Sequence, residues 1–118
     1  MKVVVVEPYK SAYKQEIDPN LKSLQNAVGG LIEVIYPFSD NVGIICNDEA
    51  KLHNLPPNRI LYDEETGMPY DIICGTFLVV GLTEEDFGSL TEKQIETYLE
   101  MYSNPPDMQE FIRLFTSK

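Results

Sequence analysis

Residues 2–7 run Lys2-Val3-Val4-Val5-Val6-Glu7, with four β-branched residues in a row and no polar alternation. Such a run predicts a strand buried on both faces, which Pro8 ends. Tyr13–Ile17 is more polar and alternates loosely, so a second, edge-like strand is expected there, with the turn between them at 10–13. Asp18-Pro19-Asn20 then opens a helix: Asp18 can cap its free N–H groups and Pro19 suits the first helical position. Leu21, Leu24 and Val28 share one face of that helix, and Gly29-Gly30 ends it through a left-handed cap. Leu31–Tyr36 predicts the next strand, stopped by Pro37. Ser39-Asp40-Asn41 turns the chain into a returning strand, Val42–Cys46, so a hairpin is expected.

The stretch 47–60 is polar and rich in turn residues. A short helical turn is expected over Asp48 to Leu52, then an extended path through Pro56-Pro57, a short strand at Ile60–Tyr62 and a turn at Asp63–Gly67. Asp71–Gly81 is the strongest late strand, with Gly75 as a bulge or a point of close approach. Thr83-Glu84-Glu85-Asp86 predicts a capped helical turn, and Thr91 to Gln94 a capping box. Behind that box, Ile95, Tyr98, Leu99 and Tyr102 fall on one helical face, with Glu92, Glu96 and Glu100 opposite. Pro105-Pro106 breaks the helix, and Met108, Phe111, Ile112 and Phe115 repeat the spacing in a last one. Strands come first and helices last. That order predicts an α+β fold: a mostly antiparallel mixed sheet with helices packed on it and a helical C-terminus.

Composition limits the choices further. The 118 residues suit a single domain, 1–118, and 43% of them are hydrophobic, which argues against disorder. A chain of this length buries roughly two thirds of its unfolded surface and needs no metal or disulfide to fold. Cys46 and Cys74 both sit in apolar runs and are expected as buried, reduced thiols. The valine run is too short for a signal h-region and no stretch approaches a membrane span, so a cytoplasmic protein is expected. The net charge is −10, and it is unevenly spread. Residues 1–62 carry seven acids and six bases, whereas 63–110 carry twelve acids and one base, Lys93. The second half therefore projects a negative field, which disfavours direct nucleic-acid binding and favours a protein partner with a basic surface.

Candidate chemistry is sparse. His53 has Glu49 four residues before it, too few ligands for a metal site. No Ser or Cys sits in a nucleophile signature and no glycine-rich phosphate loop is present, so no enzymatic activity and no cofactor are expected. Arg59 stands out as the only arginine before Arg113, on a rigid approach of Pro56-Pro57-Asn58. A guanidinium offers bidentate contact to an anion, with Asn47, Glu49, Lys51 and Asn58 as neighbours in a ligand- or partner-binding segment; the plainer reading is an internal ion pair. Glu84, Glu85, Asp86, Glu92, Glu96 and Glu100 form the candidate acidic partner-binding face, or simply a solvated one. Tyr9, Tyr13, Tyr62 and Tyr70 are candidate interface residues.

Several segments occur in a telling order: the Lys2–Pro8 run, "LQNAVGG" ending at Gly30, Ile32-Glu33-Val34, "IICNDEAKL", "LPPNR" and "YDIICGTFLVVG". In this order they resemble the uncharacterised domain of unknown function 3846 family, over about residues 1–90. The resemblance implies a setting in phages, plasmids and conjugative elements of Gram-positive bacteria, with no established activity. It marks Gly30, Glu33, Asn47, Glu49, Leu55, Pro56, Asn58, Arg59, Gly75, Thr76 and Phe77 as motif positions. Residues 91–118 then read as an acidic helical extension. Together these features predict a non-enzymatic accessory protein that binds and inhibits a host or defence component, such as a CRISPR nuclease. The alternative is a protein that binds or sequesters a nucleotide or other anion through the Asn47–Arg59 segment. A homo-oligomer is compatible with either.

Overall fold

A computed structural model of the protein describes residues 1–116. The chain runs β1 (Lys2–Val6), β2 (Tyr13–Glu16), α1 (Leu21–Val28), β3 (Ile32–Ile35), β4 (Val42–Asn47), β5 (Pro57–Tyr62), β6 (Pro69–Cys74), β7 (Phe77–Leu82), β8 (Phe87–Gly88), α2 (Glu92–Met101) and α3 (Met108–Thr116). One sheet has the order β2-β1-β7-β4-β3, with β8 paired to β7; β5 and β6 form a separate two-stranded sheet. All of these pairings are antiparallel. The fold is thus α+β.

The central strands are apolar on both faces because both faces are covered. Val79 lies opposite Val4 on one side and Ile44 on the other, and all three point into the core beneath α2. The next row, Val5, Leu78 and Ile45, points the other way, onto Leu24 and Val28 of α1. Ile95, Tyr98 and Tyr102 of the α2 segment share the first layer with Leu61 and Ile73 of the β5–β6 hairpin. The hairpin's second face carries Ile60 and Ile72, which Phe111 of α3 covers. Each such aliphatic or aromatic side chain, once buried, contributes about 1.5–3 kcal/mol.

Several boundaries differ from the sequence expectation. The first helix is capped by Asn20, whose Oδ1 accepts from Ser23 N at 2.8 Å, so Asp18 and Pro19 lie ahead of the cap and Leu21 points to solvent. Asp71–Gly81 is two strands. Gly75, at φ +77°, turns the chain out of one sheet and into the other. Thr83–Asp86 is a tight turn into β8: the Thr83 hydroxyl donates to Asp86 O and accepts from Asp86 N. In α3 the buried side is Phe111 with Leu114 beside it, while Met108 and Ile112 are exposed; the side chain of Phe115 lies outside the described residues. The Gly29 cap, the β3–β4 hairpin and the Thr91–Gln94 capping box stand as expected. Cys46 is buried, Cys74 half-buried, and both are free.

Gly75 is required twice over, by its positive φ and because a Cβ there would stand 2.8 Å from Leu55 Cδ1. Gly75→Ala is expected to destabilise the protein by about 1–3 kcal/mol, read as a lower midpoint in urea unfolding with an unchanged slope.

Candidate functional site

The five residues of the Asn47–Arg59 segment do not share one site. Asn47 is a buried joint at the end of β4: its Nδ2 donates to Val28 O at 3.1 Å and its Oδ1 accepts from Glu49 N at 2.8 Å, tying β4 to the last turn of α1. The close approach of Gly30, where a Cβ would lie 2.9 Å from Asn47 Nδ2, belongs to the same joint. Glu49 sits 3.8 Å from His53 on one exposed turn. Lys51 pairs with Asp71 at 2.8 Å. Burial pushes the Asp71 carboxyl up, but the hydrogen bonds from Lys51 and from Ile72 N, together with the Lys51 charge, outweigh it and hold the carboxyl below its ordinary value; the bond to Asp71 raises the Lys51 ammonium. These three line a cleft of about 250 Å³ with Glu33, Cys46 and Cys74. Burial pushes the Cys46 thiol up to about 12, helped by the Glu33 carboxylate, and raises Cys74, so both favour the unreactive thiol form.

Asn58 and Arg59 lie elsewhere, 1% and 3% exposed. Asn58 Nδ2 donates to Val6 O and to Gly75 O, each at 2.8 Å. Arg59 Nη1 donates to Asn58 O at 3.1 Å and to Asn58 Oδ1 at 2.7 Å; Nη2 donates to Lys10 O at 2.6 Å and Tyr102 O at 2.9 Å. Nε has no hydrogen-bond partner. The guanidinium also lies 6.0 Å from the centre of the Tyr102 ring. Among the described residues no carboxylate pairs with it, so the expected internal ion pair is replaced by carbonyl oxygens. Burial lowers its pKa, yet an arginine remains charged in proteins.

The acidic residues fall in two groups. Glu84, Glu85 and Asp86 occupy the exposed β7–β8 turn. Glu92, Glu96 and Glu100 line the solvent side of α2, whose opposite side is core. Among the described residues only Glu92 of these six has an ion pair, with Lys2 at 3.6 Å. Of the interface tyrosines, Tyr9, Tyr13, Tyr62 and Tyr70 are all exposed.

The α2 ridge leads to a feature that sequence reasoning missed. Past Glu100, Met101 and Tyr102 form one wall of a cleft of about 420 Å³. The end of β5, from Arg59 to Tyr62, forms the facing wall. Phe38, Pro105 and Pro106 complete an apolar lining, and Asp63, Glu64 and Glu110 supply carboxylates. Asp63 is held below its ordinary pKa by the backbone N–H groups of Thr66 and Glu65, so it stays ionised. Glu64 accepts from Ser39 N at 2.6 Å. Among the described residues none of the three has a cationic partner in an ion pair. The only cation in the lining, Arg59, has its terminal nitrogens committed to carbonyls. An apolar cleft with aromatic walls and free carboxylates suits a cation on an apolar stem, such as a lysine or arginine side chain. The one advance signal was the excess of acids after residue 62, which gave no position.

Also among the described residues, no three or more His, Cys, Asp or Glu side chains cluster to hold a metal, and no helix is long and apolar enough to cross a membrane.

The family described as Domain of unknown function (DUF3846) matches residues 1–103. The protein belongs to the DUF3846 family. The match reaches past residue 90 and takes in α2, so the acidic ridge lies within the DUF3846 region while α3 lies beyond it. No curated protein and no solved structure matches the chain.

Arg59→Met keeps the stem and removes the donors that hold the carbonyls of Lys10, Asn58 and Tyr102. It is expected to cost about 2–4 kcal/mol by urea unfolding, with Arg59→Lys recovering under half of that because a point charge cannot span the same acceptors.

Proposed function

We propose that the protein is a non-enzymatic cytoplasmic accessory protein of a phage or other mobile element of Gram-positive bacteria. It binds and inhibits a host or defence component with a basic surface, one version being a nucleic-acid-binding defence protein such as a CRISPR nuclease. The observation that carries this reading is the continuity of the exposed acids on α2 with the carboxylate-lined apolar cleft at its end. A basic groove that normally holds a phosphate backbone presents lysines and arginines in a row. The α2 carboxylates supply the opposite charge, and the cleft accepts one cationic side chain as an anchor. The mobile-element setting rests on the family resemblance.

The test is affinity capture from a Gram-positive host lysate, followed by binding measurements with the captured protein. Glu92→Lys, Glu96→Lys and Glu100→Lys together are expected to weaken that binding at least about tenfold, since electrostatic complementarity of this kind contributes on the order of 1.4 kcal/mol or more. Wild-type binding should also weaken steeply with added salt and compete with nucleic acid. Undiminished binding by the triple variant would sink the reading.

A second reading, sequestration of a small ligand such as a nucleotide, is supported by the presence of Arg59 in the lining of a cleft large enough for one. The engaged state of its donors and the surrounding carboxylates weigh against an anion there. A thermal-shift screen with nucleotides decides: this reading requires a rise in melting temperature for the wild type that Glu64→Ala or Tyr62→Ala, both in the lining of that cleft, alters.

A further inference from the structure

Three carboxylates line the cleft at the end of α2, and two of them are held in place by one oxygen each. Asp63 Oδ1 accepts from the backbone N–H groups of Glu65 and Thr66, each at 2.9 Å, and from the Thr66 hydroxyl at 3.2 Å. Glu64 Oε1 accepts from Ser39 N at 2.6 Å. Among the described residues no donor reaches Asp63 Oδ2, Glu64 Oε2 or the carboxylate of Glu110. The lining holds one more unmet group. Arg59 is 3% exposed, and its Nε is the only buried side-chain donor among the described residues without a partner.

An occupant that answers both needs brings a cation for the carboxylates and an acceptor for the arginine. A basic residue within a peptide chain has the two together, the cation on its side chain and the acceptor in its main-chain carbonyl. We propose that the cleft is a receptor for an arginine residue of a peptide chain, with the guanidinium among the carboxylates and a main-chain carbonyl at Arg59. The proposal rests on the reading above of a partner with a basic surface, and it names the residue that anchors that partner.

Charge sets the sign of the occupant. Asp63, Glu64 and Glu110 outnumber the one cation of the lining, Arg59, by three to one. Three features select arginine over lysine. Among the described residues no three His, Cys, Asp or Glu side chains cluster tightly enough to hold a metal ion, so a compact point charge cannot serve all three carboxylates at once. A guanidinium spreads its donors over a plane and can reach separate acceptors. The walls are largely apolar, formed by Met101, Pro105 and Pro106, and a guanidinium sheds its water more readily than an ammonium. Tyr62, 48% exposed, and the half-buried Phe38 put aromatic rings in the lining, on which a flat cation can stack.

The test is an NMR titration of the full chain with three small probes: N-acetyl-arginine N-methylamide, its lysine equivalent, and its citrulline equivalent, which has the shape of arginine without the charge. The arginine probe should bind saturably, shift the amides of Tyr62, Glu64 and Met101, and bind at least about fivefold tighter than the lysine probe. The citrulline probe should bind at least about tenfold more weakly than the arginine probe. Glu64→Gln keeps an oxygen for Ser39 N, and it and Glu110→Gln should each weaken the arginine probe about threefold or more. Tyr62→Leu keeps an apolar wall without the ring and should narrow the arginine–lysine ratio. Glu96→Gln, on α2 outside the cleft, should leave arginine binding unchanged. No saturable binding, equal binding of the arginine and lysine probes, or binding that both cleft variants leave intact would each overturn the proposal. The probes need no host protein, so such a failure leaves the charge-driven reading of the partner standing. If instead the α2 triple variant sinks that reading while the arginine probe still binds selectively, the assignment of the cleft is upheld.

Discussion

Asn58 and Arg59 are neighbours on β5, and between them they hold four separate points of the chain. Asn58 bonds the end of β1 at Val6 and the corner at Gly75; Arg59 bonds the loop after β1 at Lys10 and the end of α2 at Tyr102. The Tyr102 carbonyl accepts from Ala12 N as well, so the same atom receives donors from two directions. Taking a guanidinium out of water is costly, and its Nε adds an orphaned donor worth about 1–3 kcal/mol. The return is geometric. Four N–H groups directed at carbonyl oxygens, together with the Tyr102 ring, hold the small β5–β6 sheet against the large one at a place where no strand pairing joins them. The acid-lined cleft depends on this staple, because its two walls are the end of α2 and the end of β5.

The parts of the fold legible in the sequence are those that local chemistry decides. The unbroken valines of β1, the polar β2, the glycine that ends α1 and the capping box of α2 each carry their own cause. What failed was decided at a distance. Asp71–Gly81 is apolar on both sides of Gly75, and periodicity is the same whether a strand continues or changes sheets; only the positive φ separates the two. Thr83–Asp86 misled because a threonine hydroxyl satisfies a turn and a helix start in the same way. In α3 the apolar residues outnumber one face, so the β5–β6 hairpin chooses which of them it buries.

The candidate site is a different case. The Asn47–Arg59 segment read as a binding site because it concentrates polar residues that ligands use. Most of those residues bond the protein's own backbone. Asn47 closes α1, Lys51 pairs with Asp71, and Asn58 and Arg59 form the staple. A sequence shows that a side chain can hydrogen-bond, and not whether its partner is internal. The cleft, by contrast, draws on residues 38, 59–64 and 101–110, and no local pattern marks segments that far apart.

Gly30 with Asn47, Leu55 with Gly75, and Asn58 with Arg59 are contact pairs, and all are positions through which the chain resembles the family. They hold the layers of the fold together. One carboxylate of the cleft, Glu110, comes from α3, past the matched residues 1–103. α3 also covers Ile60 and Ile72, so it completes the hairpin's second face as it closes the cleft. Part of the cleft's rim is thus supplied from outside the matched residues, while the buried staple holds its two walls, the ends of α2 and β5, in place.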